Sequence, residues 1–293
     1  MYLGIDIGGS KVALRAELTD GTVRETAFRW TATSRGVDDV HELRAEVAVM
    51  TANQAALQGV GIALPATVDT DGIVTAWPNR PWWIGLDLRS LLSDLFPATG
   101  ARFGDDGDLA AVAEAAAVGV RDVVYVGVGT GIGGGIVLDG RSCPGLGRGS
   151  CELGHIVVDR AGPPCVCGRR GCLQAEASGP AVLRAAGRTL GTKVTYDELA
   201  RGWAAGAPWA GAAIGHAATV LATALVSVAE LVRPELLVVG GGFAAGLPGF
   251  VTGVADRVSE LARPGHPTPP VRPAVLGGLS SLHGAVLAAR GLA

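Results

Sequence analysis

The chain has 293 residues, of which 48% are hydrophobic and 17% charged, enough apolar content for a large core and too much for intrinsic disorder. A net charge of −3 and a pI near 6.0 exclude a nucleic-acid binder that relies on bulk positive charge. The opening MYLGIDIGG lacks the basic region and long apolar run of a signal peptide, so the cytoplasm is the expected compartment.

In chain order, YLGIDIGGSKVALRAEL reads as strand, glycine turn, strand, and TVRETAF as a further strand. A helical pattern spans Val37 to Leu57, followed by the apolar strand GVGIALP, the short amphipathic helix LDLRSLLSDLF and the short strand ARF. A loop then carries Asp105, Asp106 and Asp108 ahead of an alanine-rich helix from Leu109 to Val118. An aspartate before a helix serves as cap and dipole partner, which accounts for Asp108. Capping does not readily explain three mutually repelling carboxylates in four positions, which leaves open whether one of them has a chemical role.

A second unit opens in the same style, with DVVYVGVGT, a glycine turn and GGIVLDG. Helices, the strand ELLVVGGG, a helix near Phe250 to Ala262, the strand VRPAVL and a closing helix from Leu282 follow. Strands mixed with helices throughout predict an α/β fold, and the strand–glycine turn–strand echo predicts two related lobes. The apolar stretch Ala207 to Val232 is built on Ala and Gly and carries His216 and Glu230, which favours a buried helix over a membrane span.

Three glycine clusters stand at strand ends. In GIDIGGSK, Gly8 and Gly9 free the backbone N–H groups to converge on an anion. Ser10 and Lys11 add a hydroxyl and a cation, and Asp6 is placed to hold a metal ion through water; a plain tight hairpin is the alternative. Gly129, Thr130, Gly131 and Gly133 repeat the device. It is not a P-loop, which needs Lys-Ser or Lys-Thr after the last glycine. Gly240, Gly241 and Gly242 end an apolar strand, where ligands of open α/β sheets bind. Two such turns on two lobes suggest phosphates held from both sides.

His155, Cys165, Cys167 and Cys172 lie within CELGHIVVDRAGPPCVCGRRGCLQ. Three thiolates and one imidazole form the closed tetrahedral set of a structural Zn²⁺ site. Cys151 is a rival ligand farther off in sequence, and it and Cys143 are read as ordinary buried cysteines. An odd count of five cysteines with this grouping argues against a disulfide framework.

These motifs resemble those of the ROK family of sugar kinases and sugar-responsive repressors. GIDIGGSK is similar to its first phosphate motif, GTGIGGGIV to the second, VVGGG to the adenosine-side turn, and CELGH with CVCGRRGCL to its zinc signature. The resemblance covers nearly the whole chain. It implies a two-lobed actin-like ATPase (ribonuclease H-like) fold with ATP, Mg²⁺ and sugar in a cleft, a structural Zn²⁺, and a homodimer; the charge and the buried-helix reading above leave no nucleic-acid or membrane partner expected. The expected lobes are 1–118 and 119–293, with a helix at about 280–293 returning to the first.

Aligned on Glu114, the resemblance makes Asp106 the general base and puts Asp105 and Asp108 on two family asparagines. It also implies sugar contacts from Asn79, Asp105, Glu152, His155 and Gln174, with His155 serving metal and sugar through different ring nitrogens. Four sugar-side positions depart from the family pattern. Asp105 replaces an Asn, Ala66 a Gly, Trp82 a Gly before the usual Trp (here Trp83), and Gln174 a Glu. Trp82 and Trp83 would stack on a sugar ring or pack as core or lid.

Retained phosphate motifs beside altered sugar contacts imply a changed acceptor with chemistry kept. The acceptor expected is a hexose or a hexose-like pseudosugar such as a seven-carbon cyclitol, phosphorylated on a primary hydroxyl. An ordinary glucokinase is the alternative. A non-catalytic sugar-binding regulator is the alternative of another class, weakened because family repressors carry a helix-turn-helix ahead of the first phosphate motif. Polyphosphate as donor would rest on Arg141, Arg148, Arg169 and Arg170, which read more simply as solvated surface.

Overall fold

The computed structural model describes residues 1–31, 35–52, 56–145 and 149–293. The elements begin with β1 (Tyr2–Ile7), β2 (Lys11–Glu17), β3 (Val23–Arg29), α1 (Val37–Thr51), β4 (Gly59–Leu64), β5 (Thr67–Val68) and β6 (Val74–Ala76). Next come α2 (Leu88–Leu95), β7 (Arg102–Asp105), α3 (Asp106–Val118), β8 (Val123–Val128), β9 (Ile132–Leu138) and β10 (Arg141–Cys143). They end with α4 (Leu173–Ala177), α5 (Gly179–Leu190), α6 (Tyr196–Ala204), α7 (Pro208–Val232), β11 (Leu236–Gly240), α8 (Gly242–Ala245), α9 (Phe250–Glu260), β12 (Val271–Pro273) and α10 (Ser280–Ala289).

The chain divides into two compact units. The first comprises Met1–Ala113, Arg141–Ser150 and Leu279–Ala293, the second Glu114–Gly140 and Cys151–Gly278. The division therefore falls inside the continuous helix α3, not at residue 118. What the sequence marks there is only the helix end, where Gly119 takes φ +70°. Residues 141–150 also group with the first unit rather than the second. The helix expected to reach Leu57 is assigned only to Thr51, and residues 53–55 lie outside the described set.

In the first unit the sheet order is β3-β2-β1-β4-β7, with an antiparallel β1–β2–β3 meander and parallel β1–β4 and β4–β7 pairs. Parallel pairing brings the carboxyl ends of β1, β4 and β7 to one edge, with Asp6 opposite Ala63 and Leu64 opposite Asp105. Strand alternation then sorts the faces. Leu3, Ile5 and Ile7 with Val60, Ile62 and Leu64 join Leu43, Val47 and Met50 of α1 in one core.

The opposite face carries glycine because α10 lies directly on it. A Cβ on Gly59 or Gly61 would stand 2.0 or 1.9 Å from the carbonyl oxygens of Ala289 and Ala285, and one on Gly4 2.6 Å from Val286. Glycine inside a strand normally weakens it; here it permits the backbones to touch. Gly61→Ala is expected to lower stability by about 1–3 kcal/mol through overpacking. Thermal denaturation reads this as a fall in Tm, and an unchanged Tm would contradict the seating of α10.

The second unit repeats the scheme. An antiparallel β8–β9 hairpin is extended by parallel β11 and then β12, in the order β9-β8-β11-β12. The long helix α7 is apolar and long enough to cross a membrane. Its alanines instead pack within the unit's core, where Ala210, Ala217, Leu221, Ala222 and Leu225 are buried with Leu237 and Val254.

Candidate active site

Asp105 ends β7 and Asp106 begins α3, so the expected aspartate loop is a direct strand-to-helix junction. The capping role belongs to Asp105 rather than Asp108. Its Oδ1 accepts from the N–H of Gly107 at 2.9 Å and of Asp108 at 3.4 Å. Asp108 is itself buried. Asp106 keeps some solvent contact in a densely packed surround. Burial, then the charges of Asp105 and Asp6, push its carboxyl up to about 7.

Burial likewise raises Asp6, opposed by a 2.7 Å hydrogen bond from Ser281 Oγ of α10 and by the charge of Lys11. A carboxyl that titrates near neutrality, at the carboxyl ends of parallel strands, is suited to take a proton from a substrate hydroxyl.

The first glycine turn is the tip of the β1–β2 hairpin, closed by the Gly8 N–H donating to the Lys11 carbonyl at 2.9 Å. Ser10 and Lys11 are exposed there. Asn79 packs against this turn, since a Cβ on Gly9 would stand 2.6 Å from Asn79 Cβ.

The second turn, Gly129 to Gly131, tips the β8–β9 hairpin, with the Gly129 N–H donating to Gly131 and the Gly179 N–H to Gly129, both at 2.9 Å. The third follows β11. Gly241 takes φ +87°, and a Cβ there would lie 2.4 Å from the Val128 backbone, so only glycine fits. Gly127 of β8 and Gly240 of β11 stand opposite each other.

In the second unit, one ligand atom from each of His155, Cys165, Cys167 and Cys172 lies within 4.8 Å of the others. Cys165 Sγ is 3.6 Å from His155 Nδ1, and Cys167 Sγ 3.6 Å from Cys172 Sγ. Gly168, at φ +88°, lets the chain reverse between Cys165 and Arg169 so that both thiols of the C-x-C pair face one point. Burial, with the neighbouring thiols, pushes Cys172 up to about 12, while the Arg169 backbone N–H draws Cys167 down to about 6. Thiols this close cannot all ionise without a cation among them. The donor set and spacing fit a tetrahedral metal ion. Cys151 stands apart from this cluster and packs against the unit's core.

His155 turns its Nε2 to within 3.9 Å of the exposed Glu152 carboxylate. Gln174 points its Nε2 at Cys165 Sγ at 3.5 Å, and its Oε1 lies beside Gly131. An amide donates to a thiolate and a carboxylate does not, which explains Gln at this position through the cluster itself. The expected site residues thus fall into two groups. Asp6, Gly8, Gly9, Ser10, Lys11, Asn79, Asp105 and Asp106 lie in the first unit; the other glycines, Glu152, His155, Gln174 and the cysteines lie in the second.

Trp83 is a core residue, edge-on to Trp77 at 4.9 Å, whereas Trp82 is 38% exposed. A hollow of about 350 Å³ lies between α1 and these tryptophans, lined by Val37, Val40, His41 and Leu86. It holds none of the site carboxylates. Arg141, Arg169 and Arg170 are exposed, and Arg148 lies outside the described residues. Sequence reasoning used Glu114 only as a landmark. It is fully buried and accepts the N–H groups of Val275 at 2.8 Å and Leu276 at 3.1 Å, anchoring the segment after β12.

Residues 2–291 match the ROK family. The chain is 50% identical over 286 residues to the kanosamine kinase of Amycolatopsis mediterranei, covering 97% of this chain and 94% of that one. It is similar in structure to a ROK hexokinase from Thermus thermophilus, with TM-score 0.84 and 32% identity over 99% of this chain and 97% of that one. A ROK glucokinase from Streptomyces griseus, solved with glucose and AMPPNP, gives TM-score 0.82 and 26% identity over 99% of both chains. The chain belongs to the ROK family and has the α/β actin-like ATPase fold of the family's sugar kinases.

Proposed function

We propose that this sugar kinase transfers the γ-phosphate of ATP to a primary hydroxyl of an amino hexose of the kanosamine type. The observation that carries the reading is Asp106, held near neutrality beside Asp6 and Asp105. Ionised, it accepts the proton of the acceptor hydroxyl as that oxygen attacks phosphorus, a contribution of roughly 10²–10⁴-fold. The N–H groups of Gly9 and Ser10, with Lys11, serve the donor phosphates, as do Thr130 and the glycines of the second turn. Gly240 to Gly242 serve the adenosine side.

Asp6 is the carboxylate that would hold Mg²⁺ through water. Bound Mg²⁺ would neutralise phosphate charge as it is transferred. His155, Cys165, Cys167 and Cys172 would hold Zn²⁺, and the fixed loop would present Glu152 and His155 to sugar hydroxyls.

Asp105 supports an amino sugar over glucose or a cyclitol. Asn caps a helix as well as Asp does, so capping does not require the charge. That charge sits beside Asp106 and raises it. Kanosamine is glucose with an ammonium in place of the 3-hydroxyl, and an ammonium relieves the repulsion. Asp105→Asn should therefore cut kcat/KM for kanosamine at least about tenfold, since hydrogen bonds to charged groups contribute about 1.5–3 kcal/mol, while sparing glucose.

A coupled ADP-release assay with Mg²⁺ and ATP would compare kanosamine, glucose, mannose, N-acetylmannosamine and a valiolone-type cyclitol. Preference for kanosamine supports the reading. Preference for glucose makes this an ordinary glucokinase, and preference for the cyclitol restores that acceptor. No turnover by folded, metal-loaded protein overturns the kinase reading in favour of a sugar-binding regulator.

A further inference from the structure

Four of the six tryptophans gather behind the first glycine turn around one buried ion pair. Asp39, in the first turn of α1, is wholly buried, and Arg80 is 3% exposed. Arg80 Nη1 lies 2.5 Å from Asp39 Oδ2, which also accepts from the indole N–H groups of Trp82 at 2.8 Å and Trp83 at 2.6 Å. The Arg80 guanidinium lies 4.2 Å from the Trp30 ring centre and 5.4 Å from that of Trp82. Burying two charges is expensive, and a well-packed apolar set of equal volume often stabilises as much. The polar set therefore points to a task besides stability.

Its contacts lead to the first glycine turn. Arg80 Nε donates to the Gly9 carbonyl at 3.0 Å, and Trp30 Nε1 to the Gly8 carbonyl at 3.0 Å. The Trp30 backbone N–H reaches the Ser10 carbonyl at 3.4 Å. In a planar trans peptide the C=O of one residue and the N–H of the next point in opposite directions. Pinning the Gly8 carbonyl on Trp30 therefore aims the Gly9 N–H away from the tryptophans. Pinning the Gly9 carbonyl on Arg80 does the same for the Ser10 N–H. Unsupported, a Gly-Gly-Ser turn would sample many conformations. Here successive peptide planes are locked, with acceptors tied inward and donors left outward for an anion.

We propose that Arg80 and Trp30, braced by Asp39, are positioning residues that preorganise the first glycine turn for the phosphates of the nucleotide. The inference rests on the ATP-dependent kinase reading above. It adds that α1, through Asp39, is part of the nucleotide machinery without touching nucleotide. Neither glycine spacing nor the zinc loop enters it.

The test compares AMPPNP binding by calorimetry, ATP and acceptor KM, kcat and Tm in wild type, Trp30→Phe, Arg80→Lys and a control, Trp77→Phe. Trp30→Phe keeps the ring and removes the N–H. Arg80→Lys keeps the positive charge beside Asp39 but removes the Nε–H that donates to the Gly9 carbonyl. Trp77 is a buried core residue of the same aromatic cluster, edge-on to Trp83.

The expected result is a rise of about threefold to tenfold in AMPPNP Kd and ATP KM for each of the first two variants, the size of one lost hydrogen bond. Acceptor KM should stay within about twofold, and Trp77→Phe should lower Tm without weakening AMPPNP. Wild-type nucleotide affinity in both folded variants, or an equal loss in Trp77→Phe, would overturn the proposal. Failure of wild type to bind AMPPNP would instead overturn the kinase reading, so the two failures are distinguishable.

Discussion

Replacing Asp106 with Asn lowers turnover by about 10²–10⁴-fold and, above neutral pH, makes the protein more stable. The two effects share one cause. Burial and the charges of Asp105 and Asp6 hold Asp106 at about 7 in the folded chain, against an ordinary aspartate value of 3.8. The folded state thus binds the proton more tightly than the unfolded state. Its stabilising contribution is complete below about pH 4 and is lost as pH rises through about 7. Above that, the wild type carries an ionised carboxylate where its surroundings disfavour one, and the neutral amide does not.

Tm of Asp106→Asn should therefore exceed that of wild type at pH 8 and approach it at pH 5. Catalysis runs the opposite way, because the base must be ionised. The kcat/KM for acceptor should rise with pH through about 7 and then level. A flat profile from pH 5 to 9, or an Asn variant of wild-type activity, would remove Asp106 from the role.

Cys172→Ser is expected to have the second large effect. Cys172 is wholly buried, whereas its partner Cys167 and the neighbouring Val166 are exposed, the latter by 88%. Exposed loop residues contribute little packing, so the free energy of metal binding at such a site is largely the folding energy of the loop. His155 is both a cluster member and the neighbour of Glu152, and Gln174 touches Cys165. Loss of a metal bound there would therefore release every proposed sugar contact of the second unit together.

The variant should contain little zinc, against about one per chain in the wild type, with a lower Tm and turnover reduced far more for acceptor than for nucleotide binding. Chelation of the wild type should reproduce it. A zinc-free protein with unchanged Tm and turnover would contradict the assignment.

What could be read from the sequence followed from local constraint. The glycine turns were visible because adjacent glycines between apolar strands have few other uses, and the cluster was visible because its cysteines lie within eight residues of one another. The strand–turn–strand echo anticipated the antiparallel hairpin that opens each sheet, while the parallel strands that extend it rest on longer-range pairing. The cap was misplaced, since Asp105 and Asp108 are equally good caps by type and only the helix start at Asp106 decides between them. The break at residue 118 marked a helix end rather than a boundary.

Asp39, Arg80 and Trp30 gave no signal at all. Residues 8, 9, 30, 39 and 80 meet only through tertiary contact, and the Asp38–Asp39 pair in the first turn of a helix reads as solvated charge. Glu114 was hidden in the same way, its partners lying 161 and 162 residues away.

The most direct measurement is phosphorus NMR of the product formed from ATP, Mg²⁺ and kanosamine by wild type and by Asp106→Asn. Wild type should yield ADP together with a phosphomonoester on the primary carbon of the amino sugar, and the variant almost none in equal time. A product phosphorylated at another hydroxyl, no phosphosugar, or equal yields from both proteins would contradict it.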